Sequence, residues 1–232
     1  MVTDAPSFVL FGTDHAVVLV VTFVLALAMS RLSPGSRASS LARLMGVTLL
    51  TVAVLKLPLY IGFYDGPWRQ NLPLDLCRIN EFLCAYMLLR QSYRSFEITY
   101  FLSLAGSTSA LLTPDLTYGF PDPRFLTFCF SHGLAVLGAL CAVFGFGFRP
   151  TLRSLGVTVL FLGLYTLLMV PVNWLLDANY LFLRSKPEGA SPLDLLGPWP
   201  YYVFGLMGMA VVACFFCYLP FAWNRTPRQP DR

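Results

Sequence analysis

Residues 152–176 read LRSLGVTVLFLGLYTLLMVPVNWLL, and after Arg153 no charged side chain follows until Asp177. About 20 such residues, each rising ~1.5 Å along a helix, cross the ~30 Å hydrocarbon layer of a bilayer. The stretch is therefore read as a membrane span. Comparable runs precede it at 15–31, 41–62, 74–90, 96–112 and 124–147, and one follows at 199–221. The expected fold is all-α: a single polytopic membrane domain over residues 1–232, built as a seven-transmembrane-helix bundle with its termini on opposite sides. Composition agrees, since 56% of the 232 residues are hydrophobic and only 12% are charged, about half the charged share of a soluble domain. The gaps between runs leave no room for a soluble domain. No internal repeat is visible, so an inverted-repeat transporter has no support.

The net charge of +4 does not point to nucleic acid, because the basic residues stand singly at the ends of apolar runs. They report orientation instead. Arg31, Arg37, Arg43, Arg90, Arg94, Arg149, Arg153, Arg225, Arg228 and Arg232 fall on one side, ten in all. Five basic residues, Arg69, Arg78, Arg124, Arg184 and Lys186, fall on the other. They share it with nine acids: Asp4, Asp14, Asp65, Asp75, Asp115, Asp122, Asp177, Glu188 and Asp194. The positive-inside rule then puts the N-terminus outside and the C-terminus in the cytoplasm. Met1 to His15 contains no lysine or arginine, so the first run lacks the basic start of a cleaved signal peptide and is read as a retained span. An arginine-rich chain of this kind suits a bacterial inner membrane.

Polar groups inside the spans carry the chemical information, since each is costly there unless paired or hydrated. They gather on the outer half. The third span opens Asn71-Leu-Pro-Leu-Asp-Leu-Cys77-Arg-Ile-Asn-Glu81, which predicts Asn71 as N-cap and Pro73 in the first turn. Cys77 then lies about one turn inside a helix N-terminus. The helix dipole and adjacent Arg78 both favour thiolate over thiol, and the thiolate is the nucleophile. Asp75 and Arg78 are spaced for an ion pair, and Glu81 shares the face of Cys77. Either Cys77 is a reactive thiol or it packs within an interfacial charged cap.

The two histidines, His15 and His132, both fall in the outer half. His132 follows Arg124 by eight residues, about 12 Å of helix, which places it well within the hydrocarbon. A Cys77–His132 pair is geometrically possible, with His132 as base and proton shuttle; the alternative is a hydrogen bond from His132 to a serine or a backbone carbonyl. His15 is either a spare base or an interfacial cap. Asn173 and Asn179, at the outer end of the sixth span, either orient a lipid head group or bond a loop carbonyl. Lys56 is close enough to the outer end of its span to snorkel and is given no role.

Other patterns carry no chemistry. Five cysteines (Cys84, Cys129, Cys141, Cys214 and Cys217) lie in apolar runs as small hydrophobes, so a disulfide scaffold is not expected. Cys214 and Cys217 have CxxC spacing but no second ligand pair, and no metal site is expected. Gly106-Ser-Thr-Ser109 lacks a serine-elbow context and reads as small residues that let helices approach closely. There is no P-loop, GxGxxG or HExxH, and the seventh span has no lysine for a retinal Schiff base.

Several segments together resemble one family. They are Phe11-Gly-Thr-Asp-His15, Leu72-Pro-Leu-Asp-Leu-Cys-Arg78, Tyr100-Phe-Leu-Ser-Leu-Ala-Gly-Ser-Thr-Ser-Ala-Leu-Leu-Thr-Pro-Asp115, Phe130-Ser-His-Gly133, Asn179-Tyr-Leu-Phe-Leu183 and the stretch from Lys186 to Pro200. In this order they resemble the bacterial YwaF-type integral membrane proteins and their eukaryotic relatives, the transmembrane protein 164 acyltransferases. The resemblance implies a cysteine that takes an acyl group from a phospholipid and passes it to a lysophospholipid without coenzyme A or another cofactor. A histidine serves as acid and base. These roles fall on Cys77 and His132, with His15, Asp75, Arg78, Glu81, Asn173 and Asn179 as candidate substrate-binding residues. Asp75 is a departure, because family members tend to have histidine two residues before the cysteine. The expected partners are membrane phospholipids and lysophospholipids. The competing expectation is a non-catalytic binding protein, a sensor or small-solute carrier, with an outward-facing polar cavity.

Overall fold

The computed structural model describes residues 6–62, 68–187 and 192–222. Asp4, Asp65, Glu188, Arg225, Arg228 and Arg232, which contribute to the orientation argument, lie outside the described residues, as does part of the Lys186–Pro200 motif. The described residues are helical apart from turns and one isolated antiparallel bridge between Ser7 and Tyr118. In chain order the helices are α1 (Thr13–Met29), α2 (Ser36–Gly62), α3 (Leu76–Arg90), α4 (Tyr93–Phe101), α5 (Thr108–Leu112), α6 (Pro123–Gly145), α7 (Leu152–Leu176) and α8 (Tyr201–Ala222). A π-helical stretch, Leu102–Ser107, joins α4 to α5 without a break.

Among the described residues, four helices are long and apolar enough to cross a membrane: α6, α7, α8 and α2 over Ser36–Ile61; α1 is a shorter apolar helix. Helix α3 has only 15 residues, about 22 Å of rise, and the α4–α5 run is interrupted by its π segment. The starts of α2 and α3 differ from expectation in ways that bear on the site. Helix α2 begins five residues earlier than expected, at Ser36, so Arg37 and Arg43 lie within it. Helix α3 begins at Leu76 with Asp75 at the N-cap, so Asn71 is not the cap and Pro73 precedes the helix. Cys77 is thus the second helical residue rather than one turn inside.

Helix α6 is the central strut, with 67% of its most apolar window buried, whereas α8 is peripheral at 11%. The basic loops meet at one end of the bundle. Tyr93 donates to the Arg149 carbonyl at 2.8 Å, and Gln91 donates to Ser39 at 3.1 Å. The apolar core fills this end, built from Ala42, Met45 and Leu49 of α2, Cys84 and Leu88 of α3, Phe96 and Tyr100 of α4, and Ala139, Cys141, Ala142 and Val143 of α6, closed by Phe148. The helices approach closely here: a Cβ on Gly138 would stand 2.8 Å from Cys84 Sγ, and one on Gly46 2.9 Å from Leu89 Cγ. At Gly106 a Cβ would meet nothing within 4 Å. Gly106 itself therefore has no helix against it, whereas Ser107 beside it is buried. Gly106 and Ser109 face the hollow half of the bundle.

Candidate active site

Where the core ends, at Lys56 of α2, Glu81 of α3 and His132 of α6, the bundle opens into a cavity of about 710 Å³. The start of α3 forms one wall and is fixed by tertiary contacts. Arg78 Nη1 donates to the carbonyl of Asn71 at 2.6 Å, and its guanidinium lies 4.8 Å from the Tyr60 ring centroid. Tyr165 donates its hydroxyl to the Leu74 carbonyl at 2.7 Å. The Tyr180 hydroxyl accepts from Leu72 N–H at 3.2 Å and donates to the Arg69 carbonyl. Three tyrosines and one arginine thus hold the turn that presents Cys77 to the cavity. The sulfur sits in the first turn, where backbone N–H groups have no intrahelical acceptor.

Cys77 is half-buried and lines the cavity with Asp75, Arg78 and Glu81. Asp75 and Arg78 form the expected i, i+3 pair at 3.8 Å. The electrostatic setting is more mixed than a helix end and one arginine, since Asp75 and Glu81 act on the sulfur along with Lys56 and Arg78. With two acidic and two basic neighbours, the thiol needs a base to take its proton.

His132, which lines the same cavity, supplies one. It is 6% exposed, and its Nδ1 lies 2.8 Å from the carbonyl oxygen of Phe128 one turn earlier. A carbonyl can only accept, so Nδ1 carries the hydrogen, and in the neutral ring Nε2 holds the lone pair. Nε2 is buried without a partner among the described residues.

Lys56 does not snorkel. It is 6% exposed and turns inward, donating to Glu81 Oε1 and to Ser131 Oγ, each at 2.6 Å. The network ties α2, α3 and α6 together beside His132. Lys56 and Ser131 received no role from sequence. The available signal was one buried charge of each sign on successive helices, neither tolerable alone in hydrocarbon. Arg124 was also missed as a lining residue. Asp122, which accepts from Arg124 N–H at 2.8 Å as N-cap of α6, also binds the guanidinium at 2.9 and 2.8 Å.

The remaining candidates have structural partners. Asn179 lines the cavity, but its amide bonds Ser185 and the Arg184 N–H and closes a loop. Asn173 lies off the lining and clamps the Tyr180 backbone through both amide atoms, at 3.0 and 2.7 Å. His15 also lies off it, accepting from Phe11 N–H at 3.0 Å and donating to the Leu111 carbonyl at 2.7 Å. Cys129 is buried away from the lining, and all six cysteines are free.

Much of the remaining lining is apolar. Val203, Leu206, Met207 and Ala210 of α8 recur at helical spacing along it, with Leu162 of α7 beside them. A few charged groups thus share a largely apolar pocket, the usual make-up of a small-molecule site.

No curated protein and no solved structure matches the chain. A sequence model described as the TMEM164 family matches residues 8–218, a stretch that includes every cavity residue named above; the YwaF-type label gains no support from that match. The chain belongs to the TMEM164 family.

Proposed function

We propose that this chain is a membrane-embedded phospholipid acyltransferase that works without coenzyme A, with Cys77 as nucleophile and His132 as acid and base. One observation carries the reading: a first-turn cysteine and a buried histidine with an unpartnered Nε2 line the same amphipathic cavity. Cys77 Sγ attacks the ester carbonyl carbon of a glycerophospholipid as its proton passes to His132 Nε2. The adduct collapses, the bond from the acyl carbon to the glycerol oxygen breaks, and the imidazolium protonates the departing lysophospholipid. A second lysophospholipid then gives its hydroxyl proton to His132 as its oxygen attacks the thioester, and the leaving thiolate recovers that proton. Water in place of the second lipid makes the same site a lipid hydrolase. The apolar stripe of α8 suits an acyl chain.

Intact-mass analysis of the purified protein tests this. An acyl adduct is expected on Cys77 after incubation with phospholipid. Its absence, together with saturable lipid binding that survives Cys77→Ala, would make the chain a sensor or carrier instead.

In this reading the chain crosses a bacterial inner membrane seven times, through α1, α2, α3, the α4–α5 run, α6, α7 and α8. The cavity faces the outer side. The ten-to-five asymmetry of basic residues supports that orientation, as does the meeting of three basic loops at the core end. A reporter fused after Arg232 is expected to read as cytoplasmic and one before Met1 as external. The reverse result would turn the site toward the cytoplasm.

A further inference from the structure

An ammonium group carries three N–H donors and no acceptor. Lys56 uses two, on Glu81 and Ser131, and no third bond forms among the described residues. The side chain is 7% exposed and lines the same cavity as Cys77 and His132. A pair of apolar side chains would fill this volume without the cost of desolvating two charges. The charge pair therefore lines the cavity of the reacting thiol with one donor left over, held by two bonds from different helices.

We propose that Lys56 is a catalytic residue of this site: its third N–H donates to the acyl carbonyl oxygen as Cys77 attacks, making the ammonium an oxyanion donor. The inference rests on the acyl-transfer reading. As the bond from sulfur to carbon forms, the carbonyl π pair moves onto oxygen, and the ammonium meets the negative charge where it develops. On collapse the pair returns, the bond to the leaving oxygen breaks, and Lys56 keeps all its hydrogens throughout. The Cys77 N–H, second in α3 and without an intrahelical acceptor, is the adjacent donor. Glu81 and Ser131 are positioning residues that aim the ammonium. A donor placed at the charge that forms, in a site that excludes water, acts far more strongly than in solvent.

Lys56→Met alone would strand the Glu81 carboxylate in the protein interior. The informative variant is the neutral pair Lys56→Met/Glu81→Gln, compared with Glu81→Gln and the unaltered full-length chain in detergent. Two reactions of Cys77 are followed. Acylation by p-nitrophenyl decanoate, read by p-nitrophenolate release and by mass, passes through an oxyanion. Alkylation by iodoacetamide occurs at a saturated carbon and does not. The double variant is expected to acylate roughly 10²–10³-fold more slowly while its alkylation is unchanged; Glu81→Gln, whose amide oxygen still accepts from the ammonium, is expected to lose acylation by a clearly smaller factor. An equal fall in both reactions would assign Lys56 to thiol reactivity and overturn the proposal, as would an equal acylation loss in Glu81→Gln. Unaltered protein that is acylated while the double variant matches it removes the Lys56 role alone. Unaltered protein that is alkylated at Cys77 but never acylated removes the acyl-transfer reading and the Lys56 role together.

Discussion

Cys77→Ser is expected to lose nearly all activity in a lipid acyl-exchange assay, while Cys129→Ala keeps it. Cys77 lines the same cavity as His132, and Cys129 sits three residues before His132 on α6, so the two are rivals. The cavity separates them. Cys77 lines it beside charged groups, at a helix end whose free N–H groups can meet an oxyanion. Cys129 is 7% exposed and off the lining. A serine hydroxyl in place of the Cys77 thiol stays protonated and is a poor nucleophile without strong base assistance. Substituting it preserves volume and should leave lipid binding intact, so the loss should fall on turnover rather than on the half-saturating lipid concentration. A dead Cys129 variant beside an active Cys77 variant would reassign the nucleophile. Indistinguishable variants would leave only a binding protein.

The elements that sequence displayed well are those whose information is local. Helix α7 runs over 152–176 as its uncharged stretch indicates, and α6 and α8 begin within two residues of expectation. The start of α3 misled because Asn71 and Pro73 have the chemistry of a cap and a first turn. Their segment instead forms a turn, Leu74 N–H bonding the Leu72 carbonyl at 2.8 Å, pinned by Arg78, Tyr165 and Tyr180. Those contacts come from residues up to 108 positions away, and no local pattern announces them. Lys56 was misread for a related reason. A lysine near a span end can extend to the interface or turn inward, and helix rotation about its own axis decides which. Glu81 on the next helix was the clue, since two opposite charges in apolar surroundings stabilise each other only by meeting. The π stretch at Leu102–Ser107 was invisible. Its Ser103 accepts from Asn80 at 3.0 Å, and Gly106 beyond it faces the cavity; a widened helical turn of this kind has no composition of its own.

His132→Ala is expected to reduce acyl exchange by on the order of 10²–10⁴-fold, the usual worth of a positioned acid and base. Sequence left His15 as a spare, and its geometry decides how far it can substitute. His15 Nδ1 accepts from Phe11 and Nε2 donates to Leu111, so both ring nitrogens are engaged and neither has a free lone pair. His132 bonds through Nδ1 alone, and that bond fixes the tautomer that leaves Nε2 basic. The two histidines therefore predict opposite behaviour. His132→Ala should slow both thioester formation and its resolution, because the same nitrogen takes and returns a proton in each half-reaction, and added imidazole should restore part of the rate by entering the vacated space. His15→Ala should lower thermal stability through the lost bridge between the N-terminal segment and α5, with acyl exchange per folded molecule retained and no response to imidazole. Stability and single-turnover rate measured on both variants separate the roles. A His15 variant that folds normally but cannot turn over would move the base to α1 and leave the unpartnered nitrogen on α6 without a task.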